Sequence, residues 1–389
     1  EATMAAAIPA DGISEAVHLL EAGVLNRYQS ETDDHLVRAE RALAKYIGTR
    51  YAVGLNSGGS ALYLSLAAVG VVHGDKVLTN SFSFNAVASC IVHAGAQPVL
   101  VECDELLCID LADLRKKATE SGAKVLMLSY MRGRVPDMDA VLALCEELGL
   151  ILIEDAAHAY GCEWKGAKIG TFGVAACIST QANKVMNSGE GGFLLTSDDD
   201  IAAYTIIGAG CYEAYWKKHK DMAPPAEVVE KYIRTVYNRS VRMTNLQGAI
   251  IAPQVALIDE RRAEHQALYN AVVKVLEASD AITVPGFTEG VNPVPDSLQF
   301  MVDGVDEETA RAIVAAAKGL GIPLNLFGFP ENARNYKSWE FMETVPDMPQ
   351  TDAIIRKTFD SRLSLKMTVE EGVETMRQLV EAIEGILKA

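Results

Sequence analysis

At 389 residues, with 49% hydrophobic and 22% charged side chains, the chain can bury a large core, and two domains are expected. Its net charge of −17, from 52 acidic and 35 basic residues, repels nucleic acid and anionic membrane surfaces, so neither partner is expected. No apolar run approaches the ~20 residues that cross a bilayer, and the Ala-rich start lacks the basic residues of a secretory signal, so a cytoplasmic protein is expected.

Taken in chain order, residues up to about 250 alternate helical patterns with short β-branched runs, the signature of a mostly parallel sheet covered on both faces. Thr32–Tyr46 reads as an amphipathic helix, with Leu36, Ala39, Leu43 and Tyr46 at helical spacing. Strand Tyr51–Leu55 leads into a nearly all-apolar helix over Ser60–Val69, and strands follow at Lys76–Thr79, Pro98–Glu102 and Val125–Ser129. The helix Pro136–Leu148 places Val141, Leu142, Cys145 and Leu148 on one face, and Gly149 supplies its left-handed stop. Strands Leu150–Glu154, Ala175–Ser179 and Gly192–Thr196 complete the set, the last two expected as an antiparallel edge pair. After about residue 255 the pattern changes to a long helix Val255–Ser279, a Pro/Gly-rich connection Val284–Pro295, a strand Leu298–Val302, and helices Glu307–Leu320 and Val369–Lys388. The seven cysteines are scattered, with no CxxC and no paired His/Cys spacing, so reduced thiols are expected and a metal site is not.

The chemistry gathers at strand ends. Asn56-Ser57-Gly58-Gly59-Ser60 follows a strand and opens a helix, where Gly58 and Gly59 permit close backbone approach and the free first-turn amides suit a dianionic phosphate. A tight turn without a ligand reads equally well from this stretch alone. Phe84 stands just beyond another strand, a place for either a stacking ring or a core side chain. Asp155 closes the run Ile151-Leu152-Ile153-Glu154-Asp155, and Lys184 precedes Asn187-Ser188-Gly189-Glu190-Gly191-Gly192. A carboxylate followed about 30 residues later by a lysine beside a glycine-rich turn is what a pyridoxal 5′-phosphate site needs. The lysine forms the Schiff base, and the acid keeps the pyridine nitrogen protonated so that the ring accepts electrons. A lone Asp and Lys would carry nothing; their flanks decide.

Those flanks, Glu154-Asp155-Ala156-Ala157-His158-Ala159-Tyr160-Gly161 and Ser179-Thr180-Gln181-Ala182-Asn183-Lys184 with Gly189-Glu190-Gly191-Gly192, resemble blocks of the DegT/DnrJ/EryC1/StrS aminotransferase family. The resemblance runs from Gly23-Val24-Leu25 to Leu363-Ser364-Leu365. It implies the α/β architecture of fold type I: a large domain, residues 1–255, with a mostly parallel seven-stranded sheet, and a smaller α+β domain, residues 256–389. It further implies Lys184 as the Schiff-base lysine and proton shuttle, Asp155 as the ring-nitrogen partner, Phe84 over the ring and His158 near the phenolic oxygen. Gly58, Gly59, Ser60 and Ser179 would anchor phosphate, with Gly59 standing where the family carries threonine. The block Arg242–Ala249 with Gln254 also matches, except that Ser240 replaces an asparagine that in relatives reaches the neighbouring subunit's phosphate. A homodimer with shared sites follows, with Asn238 the alternative to Ser240.

Retention of a lysine at 184, where sugar-dehydrating relatives carry histidine, implies transamination. The donor would be glutamate, glutamine or a similar amino acid. The acceptor stays open between a keto-sugar and a small oxo acid or aldehyde. Tyr130, Arg132 and Arg134 stand where many sugar enzymes carry His-Tyr-x-Gly, and arginine forks bind carboxylates bidentately. Phe327 and Phe329 are expected to narrow the pocket. Racemisation, β-elimination or decarboxylation of an amino acid shares the cofactor and stays open, as does a cofactor-binding regulator without turnover.

Overall fold

The computed structural model describes residues 7–29, 35–211 and 213–388, and every statement below concerns those residues. Helix α1 (Ala10–Ala22) stops on Gly23 at φ 70°, and α2 (His35–Ile47) follows. Residues 32–34 of the expected Thr32–Tyr46 helix lie outside the described residues. Strands β1 (Tyr51–Leu55), β2 (Lys76–Asn80), β3 (Gln97–Val101), β4 (Val125–Ser129) and β5 (Ile151–Asp155) alternate with α3 (Gly58–Ala68), α4 (Asn85–His93), α5 (Leu111–Ser121) and α6 (Met138–Leu148). A short finger, β6 (Glu163–Trp164) and β7 (Ala167–Lys168), precedes β8 (Ala175–Ser179) and β9 (Gly192–Thr196). Helices α7 (Asp199–Gly208), α8 (Ala226–Val229), α9 (Asn245–Ile251) and α10 (Ile258–Leu276) come next. The chain ends with β10 (Ile282–Thr283), β11 (Val291–Asn292), β12 (Ser297–Val302), α11 (Glu307–Gly319), β13 (Asn325–Leu326), α12 (Pro349–Ile355), β14 (Thr358–Arg362) and α13 (Val369–Lys388).

The main sheet has seven strands in the order β1-β9-β8-β5-β4-β2-β3. β3, β2, β4, β5 and β8 are mutually parallel, and β9 alone runs the other way, paired antiparallel with both β8 and β1. The β8–β9 pair is therefore antiparallel as expected but sits inside the sheet, not at its edge. The chain's first strand closes over it, from Tyr51 opposite Thr196 to Leu55 opposite Gly192. Continuous apolar composition suits strands that are covered on both faces, and β1, β4 and β9 are buried at every position.

One core under the sheet joins Leu36, Leu43, Leu126, Leu128, Leu152 and Phe193, and another on the opposite face joins Leu62, Leu66, Val77, Met127, Ile153 and Leu194. Helix α6 begins two residues later than the pattern suggests because Asp137 takes the N-cap, accepting from the Ala140 amide at 3.0 Å. The helix expected from Val255 opens instead as a 3-10 segment, Ala252–Leu257, with Pro253 in its first turn, before α10 starts at Ile258. A separate C-terminal core, built on Leu268, Val272, Phe300, Phe359 and Leu379, packs α10, α11 and α13 on a four-stranded sheet ordered β10-β12-β14-β13. No described helix is long and apolar enough to cross a membrane.

Candidate active site

Parallel strands deliver side chains to their carboxyl ends, and here β2, β4 and β5 end on Asn80, Ser129 and Asp155. Ser129 and Asp155 are register partners, and the Ser129 hydroxyl donates to Asp155 Oδ2 at 2.6 Å. The Ala157 amide donates to Oδ1 at 3.2 Å, and Asn80 Oδ1 accepts from the Ser129 amide at 3.0 Å. Burial pushes the Asp155 carboxyl up from its usual range, opposed by Ser129, Ala157 and the charge of Lys184. A cation placed against this carboxylate restores its ionised form.

Lys184 lies on the loop between β8 and β9. That loop is closed by Thr180 N–H to Gly191 O (2.9 Å), Ala182 N–H to Gly189 O (2.9 Å) and Ser188 N–H to Thr180 O (2.8 Å). Gly191 sits at φ 144°, where a Cβ would come within 2.4 Å of Thr180 Oγ1, so only glycine fits. From below, the Met186 amide donates to the Tyr160 hydroxyl (2.9 Å), the Asn187 amide to Gln254 Oε1 (3.1 Å), and Gln247 Nε2 to Glu190 O (2.6 Å). The lysine is thus mounted on a braced hairpin. Its Nζ lies 3.0 Å from His158 Nε2. Burial brings the amine down to about 7, assisted by Arg362 and Arg132 and opposed by Asp296 and Asp155. His158 is held well below its ordinary value, first by burial and then by Lys184, so its ring is neutral. Its Nδ1 is buried with no partner.

Lys184, His158 and Asp155 share one cavity of about 410 Å³ with Ser57, Gly58, Gly59, Phe84, Ser179 and Gln181. Helix α3 points its N-terminus there, capped by Ser57, whose hydroxyl accepts from the Ser60 amide at 3.0 Å. The amides of Gly58 and Gly59 have no intrahelical acceptor at this end. A Cβ on Gly58 would come within 2.9 Å of Ser179 Cβ, which ties the glycine turn to the end of β8. Phe84 lines the same cavity and is 40% exposed. A planar heteroaromatic phosphate fits this set: amides and a hydroxyl at one end, a buried carboxylate, an aromatic face, a low-pKa amine and an unsatisfied imidazole nitrogen.

Several expected residues are placed elsewhere. Ser60 is not part of the cavity wall; its hydroxyl donates to Asn56 Oδ1 at 2.6 Å. Ser240 is exposed on a left-handed turn at φ 54°, bonded to Asn238, and does not line the cavity of its own chain. Tyr130 is fully buried and donates to Glu154 Oε2 at 2.7 Å. Glu154 in turn accepts from the amides of Gly170, Phe172 and Gly173, so this pair anchors a loop beneath the sheet. Arg134 is also buried, donating to Pro285 O (2.9 Å), Gly286 O (2.7 Å) and Gln299 Oε1 (2.9 Å). Arg132 pairs with Asp360. None of the three lines the cavity, so none presents a free fork to a ligand there. Phe327 packs edge-on against Phe82, and Phe329 lies under Arg311, so neither narrows the pocket.

Two cavity arginines were given no site role by the sequence reading: Arg334 and Arg362. Arg362 ends β14 and pairs with Asp296; Arg334 lies on the loop after β13. No motif marks either one, because both arrive from the C-terminal segment through packing alone.

A family model for the DegT/DnrJ/EryC1/StrS aminotransferase family matches residues 13–384. The chain is 34% identical to the GDP-perosamine synthase of Caulobacter vibrioides over 232 residues, 59% of this chain and 59% of that protein. It is 26% identical to the spore coat polysaccharide biosynthesis protein SpsC of Bacillus subtilis over 381 residues, 97% of this chain and 94% of that protein. Its fold superposes with a TM-score of 0.84 on the PMP form of the putative sugar aminotransferase Spr1654 from Streptococcus pneumoniae, at 22% identity, covering 99% of this chain and 98% of that one.

Proposed function

The chain belongs to the DegT/DnrJ/EryC1/StrS aminotransferase family, pyridoxal 5′-phosphate-dependent enzymes of fold type I, and from that premise we propose that it transfers an amino group from an amino-acid donor to a keto-sugar or a related cyclic polyol ketone. The observation that carries the reaction is the Lys184 amine, brought down to about 7 and set 3.0 Å from His158 in the cavity that Asp155 closes. The acceptor class is supported by the GDP-perosamine synthase and by a second relative, the putative L-glutamine:3-amino-2,3-dideoxy-scyllo-inosose aminotransferase of Micromonospora echinospora, 32% identical over 248 residues. The case for a small oxo acid leans on Tyr130, Arg132, Arg134, Phe327 and Phe329, none of which lines the cavity.

Bound here, pyridoxal phosphate supplies an electron sink for the Cα of an amino acid. Gly58 and Gly59 present amides to a phosphate, and the Ser179 hydroxyl stands beside them. Asp155, held in orientation by Ser129 and Ala157, offers its carboxylate to a ring nitrogen. Phe84 covers one face. An amine with a pKa near 7 is divided between its two forms at neutral pH, so Lys184 takes a proton from Cα or returns one with little driving-force penalty. The neutral His158 ring fixes the amine in place.

A division of the chain after the sheet domain is supported by the separate C-terminal core, which starts at Leu268, while Ile258 and Val294 still pack in a sheet core. A homodimer with shared sites is supported by the apolar side chains that α1 leaves open, Ile13, Val17 and Leu20 at helical spacing, and by the exposure of Phe84. A cytoplasmic location is in keeping with the free state of all seven cysteines. The test is amine transfer from glutamate and glutamine across nucleotide-linked keto-sugars, cyclitol ketones, aldehydes and 2-oxo acids. Turnover confined to the last two groups contradicts the acceptor class. Full turnover by a monomer in sedimentation contradicts shared sites.

A further inference from the structure

Three guanidinium groups gather at and behind the C-terminal wall of the cavity, and they are not equivalent. Arg132 is paired with Asp360, which also accepts from Gln299 Nε2 at 2.9 Å. Arg362 is paired with Asp296. Arg334 has no ion pair and no side-chain hydrogen bond among the described residues, and its Nε is buried without an acceptor. Arg132 also leaves Nε and Nη1 buried without an acceptor, but it has a counter-ion and does not line the cavity, whereas Arg334 lines the cavity with no counter-ion among the described residues.

The turn that carries Arg334 is built to hold it. Its own amide donates to Asn332 Oδ1 (3.0 Å), Asn332 Nδ2 donates to Leu326 O (2.8 Å), and the buried Trp339 donates from Nε1 to Ala333 O (2.9 Å). The guanidinium carbon lies 5.6 Å from the centroid of the Phe84 ring, a cation–π distance to another residue of the cavity wall. Burial, with Arg132 nearby, brings its pKa down to about 10, so it stays cationic at neutral pH. The glycine amides of α3 already make a phosphate cradle, and Asp155 already answers a ring cation. Besides the neutral His158 Nδ1, what remains unmatched in the cavity is the planar cation of Arg334, and a carboxylate is the planar anion that fits it.

We propose that Arg334 holds the α-carboxylate of the amino donor and is a specificity-determining residue of the reaction, an inference that rests on the aminotransferase reading above. It assigns to Arg334 the role that the sequence offered to Arg132 and Arg134. The keto-sugar half of the reaction is left out of the test so that its own anionic groups do not intervene. Holoenzyme is mixed with L-glutamate alone, or with its α-amide, and the change in cofactor absorbance is followed. Arg334→Gln is expected to raise the half-saturating glutamate concentration about 10- to 100-fold, with the limiting rate and the resting cofactor spectrum little changed. The preference for glutamate over the α-amide collapses in that variant, and Arg334→Lys recovers part of it. Calorimetry with glutarate, which cannot react, shows the same weakening.

The proposal is overturned if Arg334→Gln saturates with glutamate like the parent, or keeps the parent's preference for carboxylate over amide. It is also overturned if that variant loses the bound cofactor that the parent retains, since Arg334 then serves the cofactor or the fold. A parent chain that takes up no pyridoxal phosphate sinks both this assignment and the reading beneath it, and so is distinguishable from failure of the assignment alone.

Discussion

The cavity around Lys184 has a floor made from strand ends and a rim made from C-terminal loops, and the two settle their charges differently. On the floor, Asp155, Ser129, His158 and Lys184 come from contiguous blocks; Ser129 meets Asp155 through sheet register, and Lys184 meets His158 from the β8–β9 hairpin. Around the rim stand Arg334 and Arg362, with Arg132 behind them after β4, and their roles depend on which acids stand beside them. Identity alone does not say which arginine is a structural ion and which is available to a ligand. Neutralisation does.

The comparison breaks most severely at the floor. Lys184→Ala should lower donor turnover about 10⁴-fold while circular dichroism and the melting temperature stay near the parent values, because the hairpin is braced by backbone bonds and by Gln254. If turnover persists, the floor is not where the chemistry occurs.

At the rim, the contrast can be sharpened by stability. Arg132→Gln leaves Asp360 buried without its counter-charge and should cost about 3 kcal/mol in denaturant unfolding. Arg334→Gln removes no ion pair and should stay within about 0.5 kcal/mol of the parent. Equal losses in the two variants would erase the distinction between a neutralised and an available arginine.

A smaller contrast lies within the phosphate turn. Gly58→Ala forces a Cβ to 2.9 Å from Ser179 Cβ and should weaken pyridoxal phosphate binding about 10-fold. Ser60→Ala touches only the Asn56 and Ser57 contacts and should change it about twofold at most. Fluorescence titration of apoprotein reads both.

This turn also shows what the sequence disclosed and what it withheld. Strands β1, β4, β8 and β9 were legible to the residue, because short apolar runs bounded by glycine and polar residues leave little freedom of register. The juxtaposition of Gly58, Gly59, Ser179, Asp155 and Lys184 follows from motifs at strand ends. Ser60 was misplaced because a helix N-terminus turns its third residue away from the mouth, a matter of about one hundred degrees per residue that spacing alone leaves undetermined. Tyr130 and Arg134 were misplaced for a different reason: their partners, Glu154 and the Pro285–Gly286 carbonyls, are known only once the chain has folded. Arg334 was invisible for the same cause, since an unpaired cation is defined by the acids it lacks.

The state of the Lys184 amine itself is read by pH. A neutral amine captures an aldehyde and an ammonium does not, and the folded-state pKa of Lys184 is depressed to about 7. The rate at which apoprotein takes up pyridoxal phosphate should therefore climb about tenfold per unit below the folded pKa and level off above it. A rise that continues towards about pH 10, the range of a solvated lysine, would mean that the amine is in water.

The account is tested most directly by borohydride reduction of the holoenzyme followed by peptide mass mapping. It predicts a single pyridoxyl adduct on the peptide carrying Lys184, absent when excess glutamate is added first. An adduct on any other lysine, or none on a protein that turns over, contradicts it.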